Sequence, residues 1–440
     1  MRSLSPGSRL ATLLIAIALI PGCDSATPGP ASSSAGSAAP AGSFAQPSAG
    51  ATVAPSPASS AAPPASSAAP TAAPPVASPS PSLPPGAAYD PAKFGFAAKG
   101  LRGEVMAFVT TSQVDDALAR LDFASVSTIA FFSLEAASTG AIKHDTRWRS
   151  WTARSVDELI ARAHASGTKV VISVARFSWS PGQTATSVAL LKSAEARARL
   201  AREVADEVVR RGVDGINVDF EPIPRGQKAA FTDLVRRIRG ELDARGPGYQ
   251  LTFAVTGHFE SYDVAGVLKP GGADAVYLMG YHYAGTFSTI AHGTAPLDGS
   301  RYSVGDAIRL LREVARPEQL IVGVPFYGHL WPTSSGALNA RTTGRGYDVT
   351  YDKARLIAQA RPTTYDAVEE VRRVAWRERS CATCSLHWVQ LYFDDPRSLT
   401  AKWTEFRRQK LLGTGIWTSA FEGSSGDLTA ALRKVWLVGG

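Results

Sequence analysis

Apolar strand-like runs alternate with helical runs along the chain from about residue 93 to its end. Apart from the fourth, the strand-like runs are apolar on both faces, which is typical of buried parallel strands. Eight strand–helix units in roughly 340 residues favour an α/β fold of the (β/α)8 TIM barrel type over an open doubly wound sheet. No Gly-x-Gly-x-x-Gly follows any run, so a dinucleotide-binding fold is not indicated. The predicted strands are Glu104–Thr110, Thr128–Leu134, Lys169–Ala175, Gly215–Glu221, Gln250–Thr256, Ala275–Tyr281, Leu320–Tyr327 and Gly415–Ala420.

The fourth predicted strand carries polar side chains on one of its two faces. Its residues alternate, so that Asn217, Asp219 and Glu221 lie opposite the apolar residues. Successive residues on one strand face are about 6–7 Å apart, so one cavity receives an amide and two acids. Charged side chains on an inward face are costly unless they have partners. A solvent-facing edge strand that happens to be acidic is the alternative, but the apolar neighbouring strands favour a site of chemistry.

The same stretch resembles a known family signature. Residues 214–221 are similar to the Asp-x-x-Asp-x-Asp-x-Glu motif of glycoside hydrolase family 18, the chitinase-like enzymes. Asp214, Asp219 and Glu221 match the motif, and Asn217 replaces its middle aspartate. This variant resembles the bacterial branch that includes spore-cortex and cell-wall N-acetylglucosaminidases. For the whole chain, the resemblance covers nearly all of residues 100–437.

The resemblance implies substrate-assisted hydrolysis that needs no cofactor. Glu221 is expected to be the general acid and then the base, so burial or a neighbouring charge must raise its pKa. Asp219 is expected to hold the acetamido N–H of the sugar. An amide at Asn217 can still donate a hydrogen bond to Asp219 but cannot share a proton. For Asp214, a structural hydrogen bond at the base of the strand is as good an interpretation as a tuning role.

Three other segments resemble strands of the family barrel. Met279 and Tyr281 match Met-x-Tyr-Asp, whereas His282 replaces the aspartate that contacts the sugar in chitinases. The resemblance implies that the Tyr281 hydroxyl holds the acetamido carbonyl. It also implies substrate contacts for Tyr327, in a Pro-x-Tyr-Gly segment, and for Trp417 as the floor of the sugar site. Aromatic faces suit the apolar face of a pyranose ring.

The third predicted strand departs from the family pattern. The expected Ser-x-Gly-Gly is Ser-Val-Ala-Arg, which places Arg176 at the barrel mouth. A side chain of this size is expected either to narrow the cleft or to meet an acidic substrate.

Two classes of function are compatible with these residues. The first is a retaining glycosidase that acts on N-acetylglucosamine linkages in peptidoglycan, chitin or N-glycan cores. The second is a sugar-binding protein on the same barrel, as chitinase-like lectins are. Such lectins typically lack the catalytic glutamate, so the presence of Glu221, Asp219 and Tyr281 favours the enzyme.

The first 92 residues have a different composition from the rest. Residues 1–23 resemble an export signal, with Arg2 and Arg9 before an apolar run that is short for a membrane span. Cys23 ends a lipobox-like Ile-Pro-Gly-Cys, so we expect a lipid-anchored protein, or a secreted one if the cysteine is not modified. Residues 24–92 are rich in Ala, Pro and Ser and predict a disordered tether. The catalytic barrel is expected to occupy residues 93–440.

A long segment separates the last two predicted barrel strands. It is too long for an ordinary connection and predicts a small α+β insertion at about residues 330–395. Cys381 and Cys384 lie within it, and a local disulfide is the favoured interpretation in an oxidising compartment. Cys-x-x-Cys outside a thioredoxin-like context is weak evidence for redox chemistry, and two cysteines do not make a zinc ribbon.

The distribution of charge and the motifs present restrict the other binding partners that the sequence predicts. The chain has a formal net charge of +8, but its basic residues are spread over helices and form no compact run. No nucleic-acid-binding motif is present. We expect a monomer without a metal ion that binds a polysaccharide containing N-acetylglucosamine and, if lipidated, a membrane.

Overall fold

The computed structural model describes residues 90–299 and 301–439. The export signal, Cys23 and the tether up to residue 89 lie outside the described residues. The described strands are β1 (Glu104–Thr110), β2 (Thr128–Glu135), β3 (Lys169–Phe177), β4 (Gly215–Glu221), β5 (Gln250–Thr256), β6 (Ala275–Met279), β7 (Leu320–Pro325), β8 (Tyr327–Thr333), β9 (Tyr347–Thr350), β10 (Thr363–Asp366), β11 (Val371–Glu378), β12 (His387–Phe393) and β13 (Gly413–Trp417).

The described helices lie mostly between these strands, as the alternating pattern predicts. They are α1 (Val114–Arg120), α2 (Thr146–Trp151), α3 (Arg154–Ala165), α4 (Pro181–Lys192), α5 (Ala194–Arg211), α6 (Lys228–Arg245), α7 (Val264–Val267), α8 (Val304–Leu311), α9 (Tyr351–Gln359), α10 (Pro396–Arg408) and α11 (Asp427–Trp436). Among the described residues, no helix is both long enough and apolar enough to cross a membrane.

Eight parallel strands close into a barrel in the order β1, β13, β7, β6, β5, β4, β3 and β2. This confirms the predicted (β/α)8 TIM barrel. The predicted limits of β1, β4 and β5 are correct, the predictions for β2 and β3 end one and two residues early, and those for the last three barrel strands are wrong. β6 stops before Tyr281, β13 covers Gly413–Trp417 instead of Gly415–Ala420, and Tyr327 begins a strand of another sheet.

Local signals at both ends of α5 position the strand that carries the acidic row. The Ser193 hydroxyl caps the helix by accepting the Ala196 N–H at 3.0 Å. Gly212 ends the helix in the left-handed region with φ +63°, a conformation that glycine adopts without steric cost. The chain can therefore turn back sharply into β4. Apolar side chains of α5 and β4 then share one buried cluster around the barrel.

The barrel interior below the mouth is filled by aromatic and aliphatic side chains. Tyr277 is fully buried there beside Phe108 and Ile321. A Cβ atom at Gly415 would lie 2.2 Å from Tyr277 Cε2, and one at Gly323 would lie 2.2 Å from its hydroxyl oxygen. Glycine at these two positions leaves the space that the tyrosine ring occupies, so the barrel is a packed core up to the level of the site.

The insertion is a five-stranded antiparallel sheet with the order β10, β11, β12, β8 and β9. Its strands span residues 327–393, between barrel strands β7 and β13, which confirms the predicted small insertion between the last two barrel strands. A disulfide joins Cys381 and Cys384 in the connection between β11 and β12, with their Cα atoms 5.0 Å apart. A fully buried ion pair between Asp394 and Lys402 joins the end of β12 to α10.

Candidate active site

The acidic row lies at the carboxyl ends of the barrel strands, where active sites of such barrels are found. Glu221 is the last residue of β4 and is partly exposed, whereas Asp219 is only 4% exposed. Ala175 and Phe177 of β3 are the register partners of Asp219 and Glu221. The Tyr262 hydroxyl donates to the Phe220 carbonyl at 2.8 Å and so holds the end of β4 in place.

Burial raises the pKa values of both carboxyl groups. The pKa of Glu221 is raised to about 7 because its carboxylate is partly desolvated. Desolvation and, second, the negative charge of Glu221 raise the pKa of Asp219 well above its usual range. The Asp219 Oδ1 atom is buried and has no hydrogen-bond partner. A buried unpaired carboxylate oxygen is costly, which indicates a position prepared for a ligand donor.

Asn217 does not form the predicted hydrogen bond to Asp219. Its side-chain amide donates instead to Ser173 Oγ at 3.4 Å, and its carbonyl oxygen accepts from Thr252 Oγ1 at 2.9 Å. The residue is fully buried between β3 and β5. Its contacts tie three neighbouring barrel strands together directly below the acids, so Asn217 supports the site by positioning β4.

Asp214 lies at the opposite end of β4. Its Oδ2 atom accepts the Val170 N–H at 2.8 Å and lies 2.8 Å from His164 Nε2. At about 3.3 Å per residue, seven residues of strand place Asp214 on the order of 20 Å from Glu221. These contacts support the structural interpretation of Asp214 and give it no direct part in the chemistry.

Aromatic rings form the floor of the site. The Trp417 ring lies 4.8 Å from Phe132 and 6.2 Å from Tyr281, measured between ring centroids. Tyr281 is 5% exposed, and burial, with a smaller contribution from the charge of Asp219, raises the pKa of its hydroxyl. Met279, the last residue of β6, packs on the same buried cluster. The predicted contacts Tyr281, Met279 and Trp417 are therefore brought together with Asp219.

Tyr327 and His282 line the side of the mouth next to the insertion. Tyr327 is 4% exposed, and its ring centroid lies 6.4 Å from that of Tyr281. His282 is exposed, and its backbone N–H donates to Thr294 Oγ1 at 3.3 Å. His282 has φ +66°, which is rare for a residue with a side chain and occurs often at functional sites.

Arg176 does not reach into the cleft, contrary to both sequence expectations. Its side chain is 4% exposed, and its Nη1 atom donates to Glu135 Oε1 at 2.8 Å and to the Ala136 carbonyl at 3.2 Å. Register explains this orientation, because Arg176 pairs with Phe220, whose side chain lies in the outer apolar cluster. The guanidinium group therefore belongs to the wall of the mouth.

Sequence reasoning missed an aromatic path that continues from the floor towards solvent. Phe132 lies 6.4 Å from Phe177, and Phe177 stacks on Trp179 with centroids 4.1 Å apart and planes at 18°. Trp179 is 63% exposed. Trp179 could have been predicted as a surface aromatic residue, because it lies in the polar Ser-Trp-Ser-Pro connection before α4. Phe132 could not, because a phenylalanine within an apolar strand looks like any core residue.

Metal-ligating side chains are not grouped in the described part of the chain. Across residues 90–299 and 301–439, no three His, Cys, Asp or Glu side chains are arranged to hold a metal ion.

Two curated relatives share part of the chain. The putative sporulation-specific glycosylase YdhD of Bacillus subtilis (strain 168) is 26% identical over 241 residues, which is 52% of each chain. The probable chitinase 2 of Drosophila melanogaster is 28% identical over 273 residues, which is 56% of this chain and 55% of the relative. The chain therefore spans about half the length of the curated relatives it matches.

Solved structures share the barrel at lower sequence identity. A GH18 chitinase from Cycas revoluta in complex with (GlcNAc)3 has a TM-score of 0.62 and 18% identity, covering 76% of this chain and 98% of that chain. A chitinase-like agglutinin from Robinia pseudoacacia has a TM-score of 0.64 and 18% identity, covering 75% and 99%. At 18% sequence identity, these matches show that the fold is shared and nothing more.

The family model for glycosyl hydrolases family 18 matches residues 104–421. This range begins at the first residue of β1 and ends just beyond β13, so it contains the complete barrel, the insertion and the acidic row. The match covers well over half of the chain and agrees with the motif of β4. The chain belongs to glycosyl hydrolases family 18.

Proposed function

We propose that the chain is an exported retaining glycosidase that hydrolyses β-linked N-acetylglucosamine polymers by substrate-assisted catalysis. The observation that carries this proposal is the pair of buried acids on one face of β4, with a buried, unpartnered Asp219 Oδ1 beside Tyr281. Family membership, a chitinase among the relatives and a chitinase structure with bound (GlcNAc)3 support a polymer of this sugar.

Each residue of the site has a distinct task in this mechanism. Glu221 donates its proton to the glycosidic oxygen, and a pKa of about 7 keeps much of it protonated near neutral pH. Asp219 Oδ1 accepts the acetamido N–H of the sugar, and the Tyr281 hydroxyl donates to the acetamido carbonyl oxygen. That oxygen attacks the anomeric carbon as the leaving group departs. Glu221 then takes a proton from the water that opens the cyclic oxazolinium, and the configuration is retained.

The positions of the carboxylates favour this route over catalysis by two carboxylates. Asp219 and Glu221 lie on one face of the same strand and cannot stand on opposite faces of a sugar ring. Glu135, which ends the strand two positions away, is held in ion pairs with Lys143, Arg147 and Arg176. The nucleophile that a retaining enzyme needs is therefore supplied by the substrate.

A thiazoline analogue of N-acetylglucosamine tests the mechanism because it mimics the cyclic intermediate. It should bind much more tightly than the parent sugar, as intermediate-like ligands do. Binding should weaken sharply in Asp219→Ala and in Tyr281→Phe, and products should first appear as the β-anomer. Rapid hydrolysis of a 2-hydroxyl glucoside, or a product of inverted configuration, would contradict the mechanism.

The polymer that is cleaved is decided by a second experiment. The full chain is incubated with peptidoglycan, chitin oligosaccharides and N-glycan cores, and the released ends are identified by mass spectrometry. Turnover of at least one polymer with N-acetylglucosamine at the new reducing end is expected. Binding to a polymer without turnover of any would indicate a sugar-binding protein instead.

A further inference from the structure

Three cations surround the single carboxylate of Glu135 at the end of β2. Lys143 Nζ and Arg176 Nη1 lie 2.5 and 2.8 Å from its Oε1 atom, and Arg147 Nη1 lies 2.8 Å from its Oε2 atom. We call these four residues the β2 cation cluster. Three positive charges meet one negative charge, which leaves a formal excess of two positive charges.

The β2 cation cluster lies beside the catalytic acids. Glu135 is the register partner of Ala175, and Ala175 is the register partner of Asp219. Neighbouring strands are about 4.8 Å apart, so the backbones at Glu135 and Asp219 lie about 10 Å apart at one level of the barrel. A polymer bound over Asp219 therefore passes close to the cluster.

The excess charge is on the exposed side of the cluster. The Arg176 side chain is 5% exposed and by itself provides Glu135 with a cation, whereas those of Lys143 and Arg147 are 39% and 36% exposed. Asp145 is the other acid of this segment, but its carboxylate caps α2 by accepting the N–H groups of Arg147 and Trp148. In the described part of the chain, the cluster's cations form ion pairs with Glu135 alone. Arg176 alone is enough to neutralise the Glu135 carboxylate, so Lys143 and Arg147 are not needed for that purpose.

An aromatic surface lies at the end of the neighbouring strand β3. Phe177 follows Arg176 in β3, is the register partner of Glu221 and stacks on the exposed ring of Trp179. Aromatic faces suit the apolar faces of sugar rings, and Lys and Arg side chains suit carboxylates. We propose that Lys143 and Arg147 bind a carboxylate carried by the sugar polymer, so that the site prefers an acidic N-acetylhexosamine polymer to a neutral one. This inference rests on the proposed function and specifies its substrate class.

Matched polymers that differ only in the carboxyl group test the inference. One is a glycan of alternating N-acetylglucosamine and N-acetylmuramic acid, and the other is the same glycan after reduction of its carboxyl groups to alcohols. The parent protein should prefer the acidic polymer in kcat/KM by roughly three- to tenfold, the scale of two partly exposed ion pairs. Lys143→Gln/Arg147→Gln should lose this preference, so that its kcat/KM values for the two polymers become similar. Arg149→Gln/Arg154→Gln, which removes two exposed charges nearby, should keep it.

Binding gives a readout that does not depend on turnover. Dissociation constants for both polymers are measured in Glu221→Gln, with and without the two cluster substitutions, and thermal unfolding shows whether each variant is folded. Equal binding of the two polymers by Glu221→Gln, or an unchanged preference after the cluster substitutions, would overturn the inference. If the parent protein cleaves no polymer, the proposed function fails, while the binding comparison still decides the role of Lys143 and Arg147.

Discussion

Asp219 and Glu221 differ in exposure although they are two residues apart on one strand face. Asp219 is almost completely buried, and Glu221 reaches the edge of the cleft. Desolvation favours the protonated form of both groups, and the charge of Glu221 adds to this effect at Asp219. Glu221 therefore has the access and protonation that a proton donor needs, and Asp219 is placed to hold a ligand group.

Replacing the proposed proton donor should abolish most of the activity without unfolding the protein. Glu221→Gln keeps the shape of the side chain but removes its acidic proton, and general acid–base groups supply about 10²–10⁴-fold in rate. We expect a loss of kcat on that scale, measured with the substrate that the parent protein cleaves best. Sugar binding should persist, and activity within a few-fold of the parent would show that another group is the acid.

The raised pKa of Glu221 predicts the alkaline side of the pH profile. The acid must be protonated in the free enzyme, so kcat/KM should fall as the pH rises through about 7. The value of kcat/KM falls and does not rise with pH, because deprotonation of a general acid removes the proton that the leaving group requires. Steady-state kinetics from pH 5 to about 9 measure this limb. A profile that is flat across that range would contradict a titrating acid at this position.

At the scale of elements, the insertion is joined to the barrel through charges as well as apolar contacts. Asp394, just after β12, and Lys402, in α10, form an ion pair in which both side chains are fully buried. Burial raises the pKa of Asp394, and Lys402 opposes that rise. Arg372 of β11 also pairs with Asp395, the cap of α10, at 2.7 Å.

Removing one member of the buried pair should be much worse than removing both. Lys402→Met leaves the Asp394 carboxylate buried without its cation, which costs about 3–5 kcal/mol, whereas apolar replacement of both partners is often neutral. We therefore expect Lys402→Met/Asp394→Leu to be more stable than Lys402→Met. Urea unfolding at neutral pH measures the free energy of unfolding of the single and the double variant. Equal destabilisation by the two variants would show that packing of the lysine stem, and not the unpaired charge, dominates.

The connection from β3 to α4 contributes surface to the cleft through one exposed ring. Trp179 stacks on Phe177 but is mostly open to solvent. Trp179→Ala should weaken polymer binding, since aromatic stacking is worth about 0.5–1.5 kcal/mol beyond buried area. The melting temperature should change little. Long and short N-acetylglucosamine oligomers are compared by calorimetry, and an equal loss for both would place Trp179 next to the central sugar instead of along the path.

At the scale of the whole molecule, the barrel and the N-terminal tract are predicted to be independent. Residues 24–88 consist almost entirely of Ala, Pro, Ser, Gly and Thr and cannot build a core. Their deletion should leave the melting temperature of the protein nearly unchanged, and a loss of several degrees would show that the tract packs on the barrel.

Cys23→Ser should release the protein from membranes, and persistence of the variant with lipid would contradict lipidation.

The barrel, the insertion and the acidic row could be predicted from the amino-acid sequence. The insertion follows from the length of the segment between the last two barrel strands. The barrel and the acidic row depend on local patterns: apolar runs form the strands, alternation in β4 places Asn217, Asp219 and Glu221 on one face, and Gly212 ends the preceding helix. Such patterns act over a few residues and are therefore present in the chain before it folds.

The partners of those side chains could not be predicted, because they depend on contacts between segments that are distant in the sequence. Arg176 meets Glu135 across 41 residues of sequence, and the Asn217 amide turns to Ser173 and Thr252 instead of Asp219. Barrel closure and strand register determine these contacts, and no local pattern encodes them. The raised pKa of Glu221 has the same origin, because desolvation depends on every element that surrounds the carboxylate.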